Sequence, residues 1–405
     1  MPSADPMQNP TGSYYRPGLD VVRFIAFLLV YLSHSLPVPP DSRIADHLGA
    51  GVAALYEWTF PFWRFGLSLF FTLSAFLIFE LLQRERHSTG TVGVKQFYIR
   101  RILRIWPLYY LGLALAVGWS FSFGDGVREL PTLGWFAVFL ASWGIAAHGM
   151  TSIPAIPLWS ISVEEQFYLF APWLAKYCSR KLLFGFCALL VAVANGTLFL
   201  VATRKAPEFV IWTNSLVQFE CFAAGILLSL CLHGRIPKMH AVARVLALVG
   251  AVGSWLVATK FFNAFYISSA NPGSWQLMIT YGLAAVGSSL IVLAMLDFHG
   301  EHRSRRVIHL GRISYGLYVF HYLVIALVVK IAGDKMEMIG LHSHVLRAAI
   351  DFVVRVVAPL LITWVLAELS YRFFERPFLR LKQRYTVIAS QPRDATETLA
   401  VPGSR

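Results

Sequence analysis

Residues 62–82 read FWRFGLSLFFTLSAFLIFELL, and residues 83–104 continue QRERHSTGTVGVKQFYIRRILR. The first stretch is an apolar run of about 20 residues, the length at which an α-helix crosses a ~30 Å hydrocarbon core. The second holds six basic residues: Arg84, Arg86, Lys95, Arg100, Arg101 and Arg104. Basic residues collect in loops on the cytoplasmic side of a membrane. The pair therefore predicts a transmembrane helix that ends in the cytoplasm.

Similar runs fall at about 19–37, 62–82, 105–123, 132–148, 160–177, 182–202, 212–232, 245–262, 275–297, 313–332 and 348–370. The 405-residue chain is 57% hydrophobic and 14% charged, with a mean hydropathy of +0.59. That is too little charge to cover a water-facing surface, which excludes an ordinary soluble domain. The net charge of +13 would point to nucleic acid in a soluble protein. Here it is accounted for by topology, and the expected surroundings are membrane lipid rather than nucleic acid. Cys178, Cys187, Cys221 and Cys231 form neither a disulfide framework nor a metal-ligand spacing. No metal and no permanently bound cofactor is expected. Asp20 and Arg23 in the first run argue against a cleavable signal peptide.

Charge also decides which runs cross. If 132–148 stays at the outer face, the basic segments 83–104, 176–181, 233–244, 299–312 and 372–384 all fall inside, with 21 Lys/Arg against 9 outside. If it crosses, the asymmetry reverses. The run is short and broken by Gly134, Gly144 and His148, as a non-crossing segment should be. The predicted fold is all-α, a polytopic helix bundle of about ten crossings plus one re-entrant or interfacial helix. Both termini are expected in the cytoplasm. The polar segments 1–15 and 386–405 read as disordered tails flanking a transmembrane domain over 16–385.

Several ionisable residues sit within or beside these runs, where they usually face a polar interior. Arg23 and His34 are eleven residues apart, three helical turns plus about 20°, so they share a face about 16 Å apart along the axis. Taken alone, the pair reads as an arginine reaching the inner headgroups and a histidine reaching the outer interface. As chemistry, a neutral histidine suits the role of general base toward a hydroxyl. Arg101 and Arg104 are an i,i+3 pair beside Arg100, either anchoring the helix at the inner surface or forking onto phosphates. In Trp159-Ser160-Ile161-Ser162-Val163-Glu164-Glu165-Gln166-Phe167-Tyr168, two carboxylates enter a membrane helix. They read as an interfacial belt, or as Glu164 orienting a histidine or an acceptor hydroxyl. Ser314, Tyr318 and His321 lie near one face, with His321 by itself reading as a buried, hydrogen-bonded histidine. Tyr371-Arg372-Phe373-Phe374-Glu375-Arg376-Pro377 reads as a structural ion-pair cluster at the inner interface.

In their order and company, these motifs resemble the membrane-bound acyltransferase-3 family, which includes O-acetyltransferases of bacterial O-antigens and surface polysaccharides. The resemblance rests on Arg23 to His34 after Pro17-Gly18-Leu19-Asp20, on Phe70-Phe71-Thr72-Leu73-Ser74-Ala75-Phe76-Leu77-Ile78, and on Arg101 with Arg104. Trp159-Ser160 with Glu164 to Tyr168, Ser314-Tyr315 with His321, and Glu375-Arg376-Pro377 complete it. It implies an O-acyltransferase that moves an acyl group, first of all acetyl, from cytoplasmic acyl-CoA to a saccharide or glycoconjugate hydroxyl outside. His34 would act as general base or acyl-accepting residue, with Arg23 and Glu164 beside it. Arg23, Arg100, Arg101 and Arg104 would hold the CoA, and Trp159, Ser160, Glu165, Tyr168 and His321 the acceptor. The implied location is a bacterial inner (plasma) membrane, and self-association into a homo-oligomer stays open. Ala75 stands where many relatives carry glycine, which implies a packing adjustment. Relatives with an added esterase-like domain use it for the final transfer, so this chain is expected to act alone or with a separate protein. The competing class is an exporter of lipid or glycan without turnover, which intramembrane Arg64, Glu80, Glu220, Asp351, Arg355 and Glu368 would suit.

Overall fold

The computed structural model describes residues 14–37, 49–124, 126–151, 153–266, 273–298, 305–338 and 349–388. Among them every regular element is helical, as a lipid environment demands, because a helix satisfies its backbone hydrogen bonds internally. The chain opens with α1 (Pro17–Ser35), α2 (Ala50–Thr89) and α3 (Val94–Phe123), followed by short α4 (Gly126–Ala137) and α5 (Ala141–His148). A 3-10 turn over Ile156–Leu158 leads into α6 (Trp159–Tyr177), then α7 (Arg180–Thr203) and short α8 (Glu208–Thr213). Next come α9 (Ser215–Leu232), α10 (Ala241–Tyr266) and α11 (Ser274–Met295). The last elements are α12 (Arg305–Arg312), α13 (Ser314–Met338) and α14 (Ala349–Gln383). α14 contains π-helical turns over Val353–Val357 and Ser370–Glu375.

Nine of the described helices are long and apolar enough to cross a membrane. The tenth expected crossing, 160–177, forms α6, whose 19 residues match the length but include Glu164, Glu165 and Lys176. The run 132–148 is divided between α4 and α5, of 12 and 8 residues. At 1.5 Å per residue neither approaches ~30 Å. The break is not at Gly134 or Gly144, as the sequence implied, but at Phe139, which has a φ of 58°. A phenylalanine holds that left-handed conformation only where its surroundings fix it. Here its ring packs 4.5 Å from the ring of Tyr109. The hydroxyls of Tyr109 and Tyr110 donate to the carbonyls of Phe136 and Ala137 at 2.7 and 2.9 Å, satisfying the end of α4.

α2 is the spine of the bundle. Its 40 residues extend about 60 Å. One buried cluster joins α1 and α2 to α3, α6, α9 and α13, and a second joins them to α10 and α11. Small residues allow the close approach that packing in lipid depends on. A Cβ at Gly66 would lie 2.7 Å from the Ala26 carbonyl of α1, and one at Gly225 would lie 2.3 Å from the Thr72 carbonyl. Ala75 is fully buried with its Cβ against Gly225, so the glycine on the facing helix makes the room that Ala75 takes up.

Tyr14 and Tyr15, read from sequence as part of a disordered tail, are packed into the bundle. Tyr14 is buried with the Arg84 guanidinium 4.3 Å above its ring, and Arg312 donates to the Tyr15 hydroxyl at 2.9 Å. An aromatic pair beside basic residues gains both apolar burial and cation–π contact, which polar composition elsewhere in the segment concealed. Thr386 and Ile388 likewise lie on the wall of an internal cavity rather than in a tail. Residues 1–13 and 389–405 are outside the described residues.

Candidate active site

A cavity of about 200 Å³ opens between α1, α2, α3, α6, α13 and the end of α14. Five cations line it: Arg23 from α1, Arg100, Arg101 and Arg104 from α3, and Lys382 from α14. Ser74, Ser160, Glu164, Tyr168 and Tyr318 also face it. The arginines converge because positions 100, 101 and 104 cover about one turn of α3, and Arg23 enters from α1 across the same space.

These cations differ in what already holds them. Arg23 is paired with Asp20, one turn earlier on α1. Arg100 donates to Glu85 at 2.9 Å and to the Tyr385 carbonyl at 2.8 Å. Arg101 lies over the rings of Phe97 and Tyr168 at 5.4 and 5.5 Å. Arg104 donates to the Arg312 carbonyl at 3.4 Å. Arg101 Nε and Arg104 Nη1 are buried without a hydrogen-bond partner among the described residues. A buried charged donor left unsatisfied costs several times the net worth of an ordinary hydrogen bond. Donors of this kind can receive an anion.

Beyond the cavity, two histidines from different helices meet. His34 Nδ1 lies 2.9 Å from His321 Nε2, and His321 Nδ1 lies 2.6 Å from the Tyr318 carbonyl. A carbonyl only accepts, so His321 Nδ1 carries the hydrogen. In the neutral ring its Nε2 is then an acceptor, and His34 Nδ1 must be the donor to it. The remaining nitrogen, His34 Nε2, keeps a lone pair that meets no donor among the described residues. One backbone carbonyl thus fixes the tautomers of both rings. His321 is fully buried, boxed by Phe27, Tyr31 and Tyr322, while His34 is only half-buried.

The cavity and the histidines adjoin through Tyr318. Its ring lines the cavity and lies 5.4 Å from the His321 ring. Its hydroxyl is 2.6 Å from Ser160 Oγ, and both hydroxyls reach the Pro157 carbonyl, at 2.9 and 3.0 Å. His34 itself does not line the cavity.

Arg23, Arg100, Arg101, Arg104, Ser160, Glu164 and Tyr168 are brought together as the sequence implied. Glu164, read there as orienting a histidine or an acceptor hydroxyl, does not meet His34; it lines the cavity and accepts from the Tyr168 hydroxyl at 3.0 Å, and that hydroxyl also meets Ser74 at 2.8 Å. The ring partner of His34 is His321, assigned from sequence to the acceptor. Trp159 is buried against Phe71, and Glu165 accepts from the Trp106 indole at 3.2 Å; neither lines the cavity. Adjacent residues on a helix point about 100° apart, and here that turn carries Glu165 away from the cavity to the Trp106 indole. Lys382, Ser74 and Thr386 were not identified from sequence. Ser74 sits inside a motif that was, but Lys382 belongs to a basic helix end whose composition reads as ordinary inner-face anchoring.

Comparison with known proteins extends these local likenesses to the whole chain. The family model described as an acyltransferase domain, acyltransferase-3, matches residues 16–368. A peptidoglycan O-acetyltransferase OatA of Listeria monocytogenes is 25% identical over 77% of this chain and 50% of its own. The O-acetyltransferase OatA of Staphylococcus aureus strain MRSA252 is 23% identical over 95% of this chain and 60% of its own. A further relative, from Staphylococcus aureus strain MSSA476, is 24% identical over 90% of this chain and 57% of its own. The chain therefore spans little more than half the length of the curated relatives it matches. No solved structure matches it. With a match that runs through every element of the cation-lined cavity except the end of α14, the chain belongs to the acyltransferase-3 family.

Proposed function

We propose that this chain is an O-acyltransferase that moves an acyl group, in the first instance acetyl, from cytoplasmic acyl-CoA to a hydroxyl of a saccharide or glycoconjugate. One observation carries the reading. A cavity with two buried guanidinium nitrogens unsatisfied among the described residues is linked through Tyr318 and His321 to a histidine whose Nε2 is held as a free base. Phosphates suit the first feature and a hydroxyl proton suits the second. Arg23 and His34, on one face of α1 about 16 Å apart, are separated by a distance comparable to a pantetheine arm. That spacing lets the phosphate end stay among the arginines while the thioester reaches the histidines. The names of the two OatA relatives support O-acetylation, one of them on peptidoglycan, and hence a polysaccharide acceptor.

In the direct route, His34 Nε2 takes the acceptor's hydroxyl proton as the oxygen attacks the thioester carbonyl. The new C–O bond forms, the C–S bond breaks, and the proton passes from His34 to the departing CoA thiolate. In a two-step route the same nitrogen attacks the thioester carbonyl and the C–S bond breaks to release CoA thiolate. The acceptor oxygen then attacks the acyl-histidine, the N–acyl bond breaks, and the hydroxyl proton ends on the CoA thiolate. The buried His321 holds His34 in the tautomer both routes need. By the excess of basic residues, the arginine end faces the cytoplasm of a bacterial plasma membrane, and the acceptor is modified at the opposite side.

The test is the purified chain in detergent with labelled acetyl-CoA and candidate glycans. CoA release that depends on both the glycan and His34 is expected, and rapid quenching for labelled acyl-protein separates the two routes. Tight glycan binding with no CoA release would instead support an exporter.

A further inference from the structure

The end of α14 is the least expected wall of the cavity. α14 passes through the π-helical turn Ser370–Glu375 and continues as a regular helix over Arg376–Gln383. A π turn inserts one residue, which rotates everything after it by roughly 100° relative to an unbroken helix. With that rotation in place, Lys382 faces Arg23, Arg100, Arg101 and Arg104 across the cavity. Those four guanidiniums share the cavity lining with it, together with the carboxylates of Glu85 and Glu164.

The chain then curls back. Arg384 N donates to the Leu381 carbonyl at 3.2 Å, Tyr385 N to Lys382 at 3.1 Å and Thr386 N to Gln383 at 3.1 Å. This winding sets Thr386 and Ile388 on the cavity wall. Arg100 ties the turn down through the Tyr385 carbonyl, and the Thr386 hydroxyl donates to the Lys382 carbonyl at 3.0 Å. Placing a lysine among four arginines is unfavourable unless something anionic joins them. Asp20 and Glu85 offset Arg23 and Arg100 and Glu164 faces the same cavity as Arg101, so five cations against three carboxylates leave an excess of two positive charges where Arg104 and Lys382 converge from two helices.

We propose that Lys382 is a phosphate ligand of the acyl donor, and that residues 384–388 form the wall against which the donor's polyphosphate rests. This rests on the acyl-CoA reading above and adds to it a selectivity: donors carrying several phosphates are favoured over thioesters without them. Lys382 is a point charge on a flexible stem and can follow a phosphate that the more constrained arginines cannot reach.

The experiment measures CoA binding by titration calorimetry to the full chain in detergent, as wild type, Lys382→Met and Lys382→Arg. Loss of one charge-assisted contact of this kind is worth about tenfold or more in affinity. Lys382→Met is expected to weaken CoA binding about tenfold, raise the donor KM to match and leave kcat within about twofold. Lys382→Arg is expected to stay within about threefold of wild type, because it keeps the charge. A second readout needs no variant: CoA should protect Lys382 of the wild-type chain from an amine-reactive label, read by mass spectrometry, and pantetheine should not. CoA affinity unchanged in Lys382→Met, equal loss in Lys382→Met and Lys382→Arg, or absence of protection each overturns the proposal. Wild-type chain that binds no CoA overturns the donor reading itself, so the two failures are told apart.

Discussion

His34 and Arg101 each depend on a neighbour for the chemistry proposed. His34 has its tautomer dictated by the Tyr318 carbonyl through His321. Replacing His321 by alanine removes the acceptor of the His34 Nδ1 hydrogen, and the expected result is a kcat lower by about 10–100-fold with donor KM little changed. His321→Asn, whose amide oxygen can accept that hydrogen, should recover part of the loss. Wild-type kcat in the alanine variant would refute the relay. Arg101 makes the opposite kind of contribution. Its Nε is buried and unsatisfied among the described residues, so Arg101→Ala is expected to raise donor KM about tenfold or more while kcat changes less. Steady-state kinetics over a range of acetyl-CoA concentrations distinguishes the two patterns. These roles were half legible in the sequence. The eleven-residue spacing aligned Arg23 with His34, but the partner of His34 lies 287 positions away, and no local pattern reveals such a contact.

Element by element, the surfaces that meet closely are set by small residues. Gly225 of α9 faces Thr72 and Ala75 of α2 so closely that even one methyl group would fall 2.3 Å from a carbonyl oxygen. Gly225→Ala is therefore expected to destabilise by about 1–3 kcal/mol and lower the unfolding midpoint in detergent. Gly118 in α3 has nothing within 4 Å of the corresponding position. There the same substitution should be neutral or stabilise by up to about 1 kcal/mol through helix propensity. Equal midpoints for the two variants would show that α2 and α9 can separate at no cost. Helix identity was readable from the apolar runs, whereas helix ends and interruptions were not. The break at Phe139 and the π turns of α14 answer to tyrosine hydroxyls, aromatic packing and neighbouring helices, which act through space.

For the whole molecule, the basic-residue asymmetry predicts a specific orientation. In a chain with its native cysteines replaced, an impermeant maleimide should label Lys205→Cys, in the turn between α7 and α8, in intact cells. Ser88→Cys, at the end of α2, should react only after the membrane is opened. The reverse pattern would place the arginines of the cavity on the outer side and separate them from cytoplasmic acyl-CoA. The sequence by itself determined that the chain is a bundle of membrane helices, because apolar run length and loop charge are local properties that the bilayer reads directly. It also nominated the arginines of α3 and the histidine of α1, since periodicity along a single helix is local too. Only the tertiary structure decided which of these residues share a cavity, that His321 rather than Glu164 holds His34, and that Lys382 joins the arginines. Those facts depend on how separate helices are rotated against one another, and rotation is set by packing across the whole bundle rather than by any stretch of chain.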